Sequence, residues 1–457
     1  MKHIQKLFII LFIAMLCLPV MFMNIKPNQV SDIDNRKLTD IPKLDKNFRS
    51  NVESYLMDRI GFRSWMIDTY QSFNDSFFHV MMHPSYMYGK EDHVFFKIKN
   101  EVYDPGYMDT FVSFLEKIQK YSEDRDIQFW YWLNPRKDSV YTEYLPNGVN
   151  LQKKNINYLK EEIYKKKIPF ISSLEVLLQA KEQLLVYNKQ YDVGHWNEDG
   201  AFVAIRYMLQ ELNKNLYIPQ LDDFRIDTKI YNTLPTSNFK IHDESNVYIP
   251  ISSNAIRDVR FDKDIQLNKN FRAFSHFVND QQKDKPKALI FRGSYLDNKE
   301  KFLTESFSEV TFVHNYQNVI NFDYYINIFK PDIVIFESAD HVLNNSYFSQ
   351  KGMEEAEFSE PYEHFENLPY SEFTNVNPDV QVLVEGDIVT LTLALPEEVG
   401  NAYLDFGNHI VDMKIVKEQT QYIAKVSIRK DDFRDSATLK MINRENTFQQ
   451  HYDISFS

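Results

Sequence analysis

The sequence predicts an α/β fold: a parallel sheet flanked by helices, followed by a C-terminal antiparallel β-sandwich and preceded by an N-terminal membrane anchor. Three observations carry this reading. Between about residue 107 and residue 337, apolar strand-like runs alternate with helical periodicities, as strands joined by crossover helices do. Past Glu354 the period falls to two, with turn residues between the runs, the pattern of a small sandwich. The first residues hold a basic flank and one unbroken apolar stretch. The predicted units are 1–25 as anchor, 26–100 as tether and N-terminal helices, 101–353 as the α/β unit and 354–457 as the sandwich.

In MKHIQKLFIILFIAMLCLPVMFMNIKPN, Lys2 and Lys6 precede an apolar run from Leu7 to Met23. That length is near the lower limit for spanning a bilayer, and the basic flank should stay in the cytoplasm, leaving the rest of the chain outside. A cleaved signal peptide is the competing reading, but no small-x-small site follows the run, which favours an anchor that is kept. The polar stretch SDIDNRKLTDIPKL reads as a tether. Phe48, Val52, Tyr55, Leu56 and Ile60, then Trp65, Ile67, Tyr70, Phe73 and Phe77, are spaced as two helices joined near Gly61. A short strand is expected at Val94 to Phe96.

Met108 to Tyr121 predicts an amphipathic helix, with Phe111, Phe114, Leu115 and Ile118 on one face. Strands follow at 127–133 and 168–172, and helices at 151–166, 174–185 and 200–216. ALIF from Ala288, VTFV from Val310 and DIVIFE from Asp332 are further strands. The periodicity weakens between 217 and 285, which reads as an insertion or connecting arm. In the C-terminal part, VQVLVEGDIVTLTLAL, NAYLDFG, HIVDMKIV, QYIAKVSI and TLKMI alternate at period two.

With 43% hydrophobic and 26% charged residues, the 457-residue chain is long enough for two or three domains with proper cores. A formal charge of −13 and the lack of a Lys/Arg stripe exclude a nucleic-acid partner. The single cysteine, Cys17, lies in the apolar N-terminal run, so no internal disulfide framework or cysteine metal site is expected. No metal-ligand spacing or phosphate loop is found, and no cofactor is called for.

In KALIFRGSYLD, the predicted strand Ala288 to Phe291 runs into Arg292, Gly293 and Ser294, and a helix-compatible segment follows from Asn298 to Ser306. One reading is an ordinary turn in which Gly293 is permissive and Ser294 caps a helix; the other is a nucleophile at the carboxyl end of a strand. A serine needs a base, and the base needs an orienting acid. YDVGHWNEDGA supplies Asp192 three residues before His195, in a loop leading to a helix near Gly200. There the carboxylate can fold back to Nδ1, leaving Nε2 for a serine across the sheet; a plain surface hydrogen bond or a capping arrangement is the alternative. Sites of such folds gather at the carboxyl ends of the strands. Asn134, Lys137 and Tyr141 follow a strand and either line the pocket or make a structural turn. Trp196 either shapes the site or packs beside the loop. His314, Glu337 and His341 follow other strands and read as ordinary surface residues.

The order of these segments resembles the SGNH hydrolase-like domain of the alginate O-acetyltransferase AlgJ/AlgX group. The stretches are SDIDNRKLTDIPKL, YLMDRIGFRSWMI, MYGKEDHVFF, WLNPRKDSVYTEYLP, DVGHWNEDGA, IFRGSYLD and KPDIVIFE, spanning roughly 30 to 345. The resemblance implies an SGNH-like sheet, with Ser294 as nucleophile, His195 as general base and Asp192 as orienting acid. Two departures stand out. Many members place the acid two residues before the histidine, where this chain has Val193, so without a reach from Asp192 the triad is a dyad. Arg292 stands where small or acidic residues are common, and either adds positive field or points outward.

The implied chemistry is transfer of acetyl through an acetyl-serine to a hydroxyl of a cell-surface polysaccharide, with N–H groups around Gly293 and Ser294 stabilising the oxyanion. The implied acetyl donor is a multipass MBOAT-type membrane acyltransferase, since acetyl-CoA is absent outside the membrane. Acetyl-ester hydrolysis by the same residues is one rival; a non-catalytic polysaccharide-binding assembly protein is the other. The sandwich is placed to hold the glycan.

Overall fold

Successive side chains of a strand point to opposite faces, and the central strands here use both. The computed structural model describes the chain except residues 1, 27–28, 30–36, 42–43, 45, 84, 99–101, 150, 213–214, 236–238, 252–254, 261–264, 272, 372–378 and 457. The strands before the C-terminal part are β1 (Tyr86–Tyr88), β2 (Val94–Phe96), β3 (Gln128–Asn134), β4 (Phe170–Ser172), β5 (Phe224–Thr233), β6 (Lys240–Pro250), β7 (Ile256–Asp258), β8 (Phe274–Asn279), β9 (Lys287–Phe291), β10 (Glu309–Val313) and β11 (Ile333–Ala339). Seven of them form one sheet in the order β4-β3-β11-β9-β10-β8-β7.

From β4 to β10 all neighbours are parallel, as the alternation of strands and helices requires. At the other edge β8 and β7 are antiparallel, so the sheet is mixed where an all-parallel one is expected from the sequence. Those two strands come from the weakly periodic arm, whose remaining strands, β5 and β6, pair among the described residues with each other alone.

Phe129, Tyr131 and Leu133 of β3, Leu289 and Phe291 of β9, and Val334 and Phe336 of β11 share one core with helices Pro105–Glu123, Lys154–Lys166 and Phe322–Phe329. The alternate residues Trp132, Ala288, Ile290, Ile333 and Ile335 share another with Leu174–Ala180 and Glu198–Glu211. Helix Pro105–Glu123 shows the local logic. The Asp104 carboxylate accepts from Tyr107 N at 3.0 Å, Pro105 opens the first turn, and Phe111, Phe114, Leu115 and Ile118 are buried at spacings of three and four.

The C-terminal strands are β12 (Tyr370–Ser371), β13 (Val380–Glu385), β14 (Ile388–Ala394), β15 (Val399–Asp405), β16 (Ile410–Glu418), β17 (Gln421–Arg429), β18 (Ser436–Asn443) and β19 (Gln449–Ser455). From β13 to β19 all pairings are antiparallel. β16 changes partner midway, pairing with β15 up to Met413 and with β17 from Lys414. Leu391, Leu404, Met413, Val426 and Leu439 belong to one apolar core. This part rests on the first core: Ile388 is buried in it, Tyr121 donates to Asp412 at 2.9 Å, Arg125 pairs with Asp412 at 3.3 Å, and Arg429 Nε donates to Ile328 O at 3.1 Å.

Helix Lys2–Met21 contains an apolar stretch, Ile4–Met21, with mean hydropathy 2.3 and none of it buried, long enough to cross a membrane. A signal sequence has the same character. Helices Phe48–Arg59 and Arg63–Phe78 meet at Gly61, as their spacing predicts.

Candidate active site

The chain leaves β9 at Arg292, whose N–H makes a last bond to Val313 O at 3.0 Å. Gly293 then passes close to Tyr316 and Glu337: a Cβ there would lie 3.3 Å from the Tyr316 ring and 3.5 Å from Glu337 Oε2. Ser294 follows at the surface. Ser294 opens a short 3-10 turn, Ser294–Leu296, and the helix expected over Asn298 to Ser306 is absent, with a second 3-10 turn, Glu300–Phe302, in its place.

The opposing loop is held by the start of helix Glu198–Glu211. Asn197 caps it, accepting from Gly200 N at 2.9 Å, and Glu198 and Asp199 lie in its positive first turn. Just upstream, Asp192 adopts a left-handed φ of 43°, which Asp tolerates better than most residues, and its carbonyl accepts from His195 N at 3.3 Å. The turn folds the carboxylate back on the ring. Asp192 Oδ1 lies 2.7 Å from His195 Nδ1, and His195 Nε2 lies 2.8 Å from Ser294 Oγ. Trp196 bolts the two segments together, its Nε1 donating to Tyr295 O at 2.8 Å while its ring packs on Tyr295.

Burial works to lower the His195 pKa, but the hydrogen bond and charge of Asp192 outweigh it and the value is raised. Ring and carboxylate so arranged favour Nδ1–H, with Nε2 as the acceptor for the serine proton.

No family model matches the chain, and no curated protein matches it. Solved structures do. PatB1 of Bacillus cereus, with a sulfonyl adduct, is 15% identical, with a TM-score of 0.43 over 58% of this chain and 96% of that one. The O-acetyltransferase domain of Pseudomonas putida AlgJ is 16% identical, with a TM-score of 0.42 over 60% and 99%. Pseudomonas aeruginosa AlgX is 13% identical, with a TM-score of 0.39 over 80% and 90%. The last two are of the group that the motifs resemble.

Beneath the triad lies a group that the sequence reading treats as surface. Glu337, in the middle of β11, is 0% exposed. Its Oε2 accepts from Gly293 N at 2.7 Å and its Oε1 from Asn134 Nδ2 at 2.9 Å. Asn134 Oδ1 accepts from Ser173 Oγ at 2.7 Å, and that oxygen accepts from Trp132 Nε1 at 2.7 Å. Burial raises Glu337 to about 7, against the lowering effects of Asn134, Gly293 and the Arg292 charge. The signal was present in DIVIFE: a carboxylate inside an otherwise apolar strand has to be partnered.

The remaining predicted residues are brought near the triad but in other roles. Gly293 spends its N–H on Glu337, so it is no oxyanion donor; the N–H groups of Ser294 and Tyr295, at the start of a helical turn, have no partner within that turn. Arg292 neither points outward nor faces the pocket: it is buried and paired with Asp297 and, at 3.3 Å, with Glu300. Lys137 is buried beneath the β1–β2 hairpin, its Nζ donating to Val94 O at 2.8 Å and Lys189 O at 2.7 Å. Burial lowers it to about 7. Tyr141 is buried and accepts from Val186 N at 3.1 Å. Asn134 is wholly buried, and Trp196 nearly so. None of the four is in the lining of the open cleft along this edge; Asn134 braces the serine turn, and the others brace the histidine loop.

An open cleft of about 650 Å³ lies along the same carboxyl edge, lined by Arg136, Asp138, Lys153, Asp340, His341 and Asn344 among others. Ser294 and His195 are not in its lining; Tyr295 stands between, its ring 6.5 Å from that of His341 and 5.4 Å from that of His195. His314, by contrast, sits across the sheet beside Ser275, at 3.0 Å. Among the described residues no group of His, Cys, Asp and Glu is arranged to hold a metal ion.

Proposed function

We propose that this chain is an extracytoplasmic serine O-acetyltransferase that passes acetyl through an acetyl-Ser294 to a hydroxyl of a cell-envelope polysaccharide. The observation that supports it is the relay of Asp192, His195 and Ser294, at 2.7 and 2.8 Å, with Ser294 open to solvent at the carboxyl end of a central parallel strand. Such a serine is activated by the adjacent imidazole, and the carboxylate holds the imidazolium that forms.

In the first step Ser294 Oγ attacks the acetyl carbonyl and His195 Nε2 takes its proton. The Ser294 and Tyr295 N–H groups hold the oxyanion. Collapse expels the donor's leaving group, which takes the proton back from His195. In the second step a glycan hydroxyl attacks acetyl-Ser294, His195 accepts its proton, and Ser294 leaves with that proton restored. The polar cleft beside Tyr295 offers donors and acceptors suited to a glycan's hydroxyls. The donor in this reading is a membrane acyltransferase of the MBOAT type, and helix Lys2–Met21 keeps the chain at the membrane.

Acetyl-ester hydrolysis is favoured by one specific observation, the exposure of Ser294 to water. Incubation of the full chain with an activated acetyl ester and a panel of envelope oligosaccharides, followed by mass spectrometry, separates the readings. Acetyl on Ser294 that moves to sugar and is lost in Ser294→Ala is the expected result. Acetate released to water with no acetylated sugar establishes the esterase. An unlabelled Ser294 removes the serine from the chemistry altogether.

A further inference from the structure

Helix Arg63–Phe78 is turned inside out. Phe62 at its N-cap and Trp65, Met66, Tyr70, Phe73 and Phe77 within it fall on one face, an apolar stripe about 18 Å long from Trp65 to Phe77. A surface helix buries such a stripe. Here it faces outward, with Trp65 67% exposed and Phe77 73% exposed. The side toward the protein is the polar one: Gln71 is 2% exposed and donates to Met82 O at 3.0 Å, and Asp75 accepts from Tyr88 OH at 2.9 Å.

The stripe begins where the membrane-length helix ends. Gly61 N donates to Pro19 O at 2.7 Å, Asn24 N donates to Arg59 O at 2.8 Å, and the Phe62 and Phe22 rings lie 5.1 Å apart. Gly61 is required for this approach, since a Cβ there would meet Phe22 O at 2.6 Å. The apolar end of Lys2–Met21 therefore adjoins the start of the aromatic stripe through the Phe22–Phe62 contact. Trp and Tyr next to a spanning segment favour the headgroup level of a bilayer, and a helix with one apolar face lies there with that face about 5–10 Å deep.

From this junction we propose that helix Arg63–Phe78 lies in the membrane surface with its aromatic stripe sunk in lipid, fixing the height and tilt of the triad-bearing unit above the bilayer. The proposal rests on Lys2–Met21 being held in the membrane, and not on the acetyl chemistry.

Trp65 supplies the test, because of the four tryptophans it alone is exposed. The full chain is reconstituted into phosphatidylcholine vesicles, with and without bromine on the upper acyl chain, and compared with Trp65→Phe. The expected result is that the extra emission of the wild type over Trp65→Phe is lost in brominated vesicles and resists aqueous iodide. In Phe73→Glu/Phe77→Glu that emission should shift to the red and become open to iodide. Emission from Trp65 that survives bromine and is quenched by iodide would place the stripe in water and overturn the proposal. Protection from both quenchers would also overturn it, pointing to a protein cover such as a second copy or a membrane partner. Flotation with the vesicles reports Lys2–Met21 separately, so failure of the anchor and failure of the helix are distinguished.

Discussion

The Glu337 carboxylate receives the backbone N–H of Gly293, the residue before Ser294, in a bond of 2.7 Å. The serine's backbone is thereby anchored to the neighbouring strand from below. Glu337→Ala would leave that N–H and the Asn134 amide without their acceptor, a loss of about 1–3 kcal/mol for each buried group left unpaired. It should lower the melting temperature and, by loosening the serine turn, reduce turnover up to roughly 100-fold. Glu337→Gln keeps an acceptor for Gly293 but turns an amide NH2 toward that of Asn134, so it should lose less stability than Glu337→Ala and keep more of the turnover. Equal turnover in the wild type and Glu337→Ala would show that the anchor is irrelevant to the serine.

The same carboxyl gives a pH signature. Its folded value is raised from 4.5 to about 7, so between those limits the unfolded chain has released a proton that the folded chain still holds. Stability should fall as pH rises through that window and level off above it. Denaturant titrations across pH check this, and Glu337→Gln should flatten its share of the slope.

His195 must be neutral to accept a proton from Ser294. Because Asp192 raises its pKa above the ordinary 6.5, the acid limb of the rate profile should lie above that value. Asp192→Asn removes the raising influence and leaves burial, so the limb should move to lower pH while the rate falls by about 10²–10⁴. An unmoved limb would assign it to another group. The raised value also stabilises the fold at low pH, fully below 6.5, and that contribution is lost as pH rises through the folded value.

Gly200 opens the helix behind the histidine loop, and a Cβ at that position would collide with the carbonyl oxygen of Val186. Gly200→Ala should therefore cost about 1–3 kcal/mol through overpacking and should displace His195 enough to depress turnover. Thermal melts and single-turnover acetylation of Ser294 read the two effects. A variant with wild-type melting and rate would mean that the loop is positioned by Trp196 alone.

The helices that pack on the sheet, the parallel strands and the period-two C-terminal part were legible because each buries a regular stripe or alternation, whereas the helix expected over Asn298 to Ser306 is replaced by a short turn. Asp192, His195 and Ser294 were legible as residue types whose chemistry requires each other, in loops that a parallel sheet brings to one edge. Arg292, Lys137 and Tyr141 were not, because sequence gives no sign of whether a polar side chain after a strand turns outward or is folded under. Lys137 turns under a hairpin that lies 40 residues or so upstream of it, a pairing no local pattern reveals. The edge strands β7 and β8 are short and carry polar residues such as Asp258 and His276, so their periodicity was too weak to separate from loop. Arg63–Phe78 was legible as a helix, but the direction in which its stripe faces was not, since spacing alone does not say what lies opposite.

The seam under the C-terminal strands bears on how far this protein can be taken apart. Tyr121, Arg125 and Ile328 of the α/β unit have their partners in Asp412 and Arg429, and Ile388 completes an apolar core whose other members precede residue 360. A chain ending before Val380 would leave Tyr121 and Arg125 without Asp412, Ile328 O without the Arg429 guanidinium, and the first core without Ile388. The C-terminal strands are thus not a cartridge to be exchanged between proteins; a functional transplant has to carry both halves.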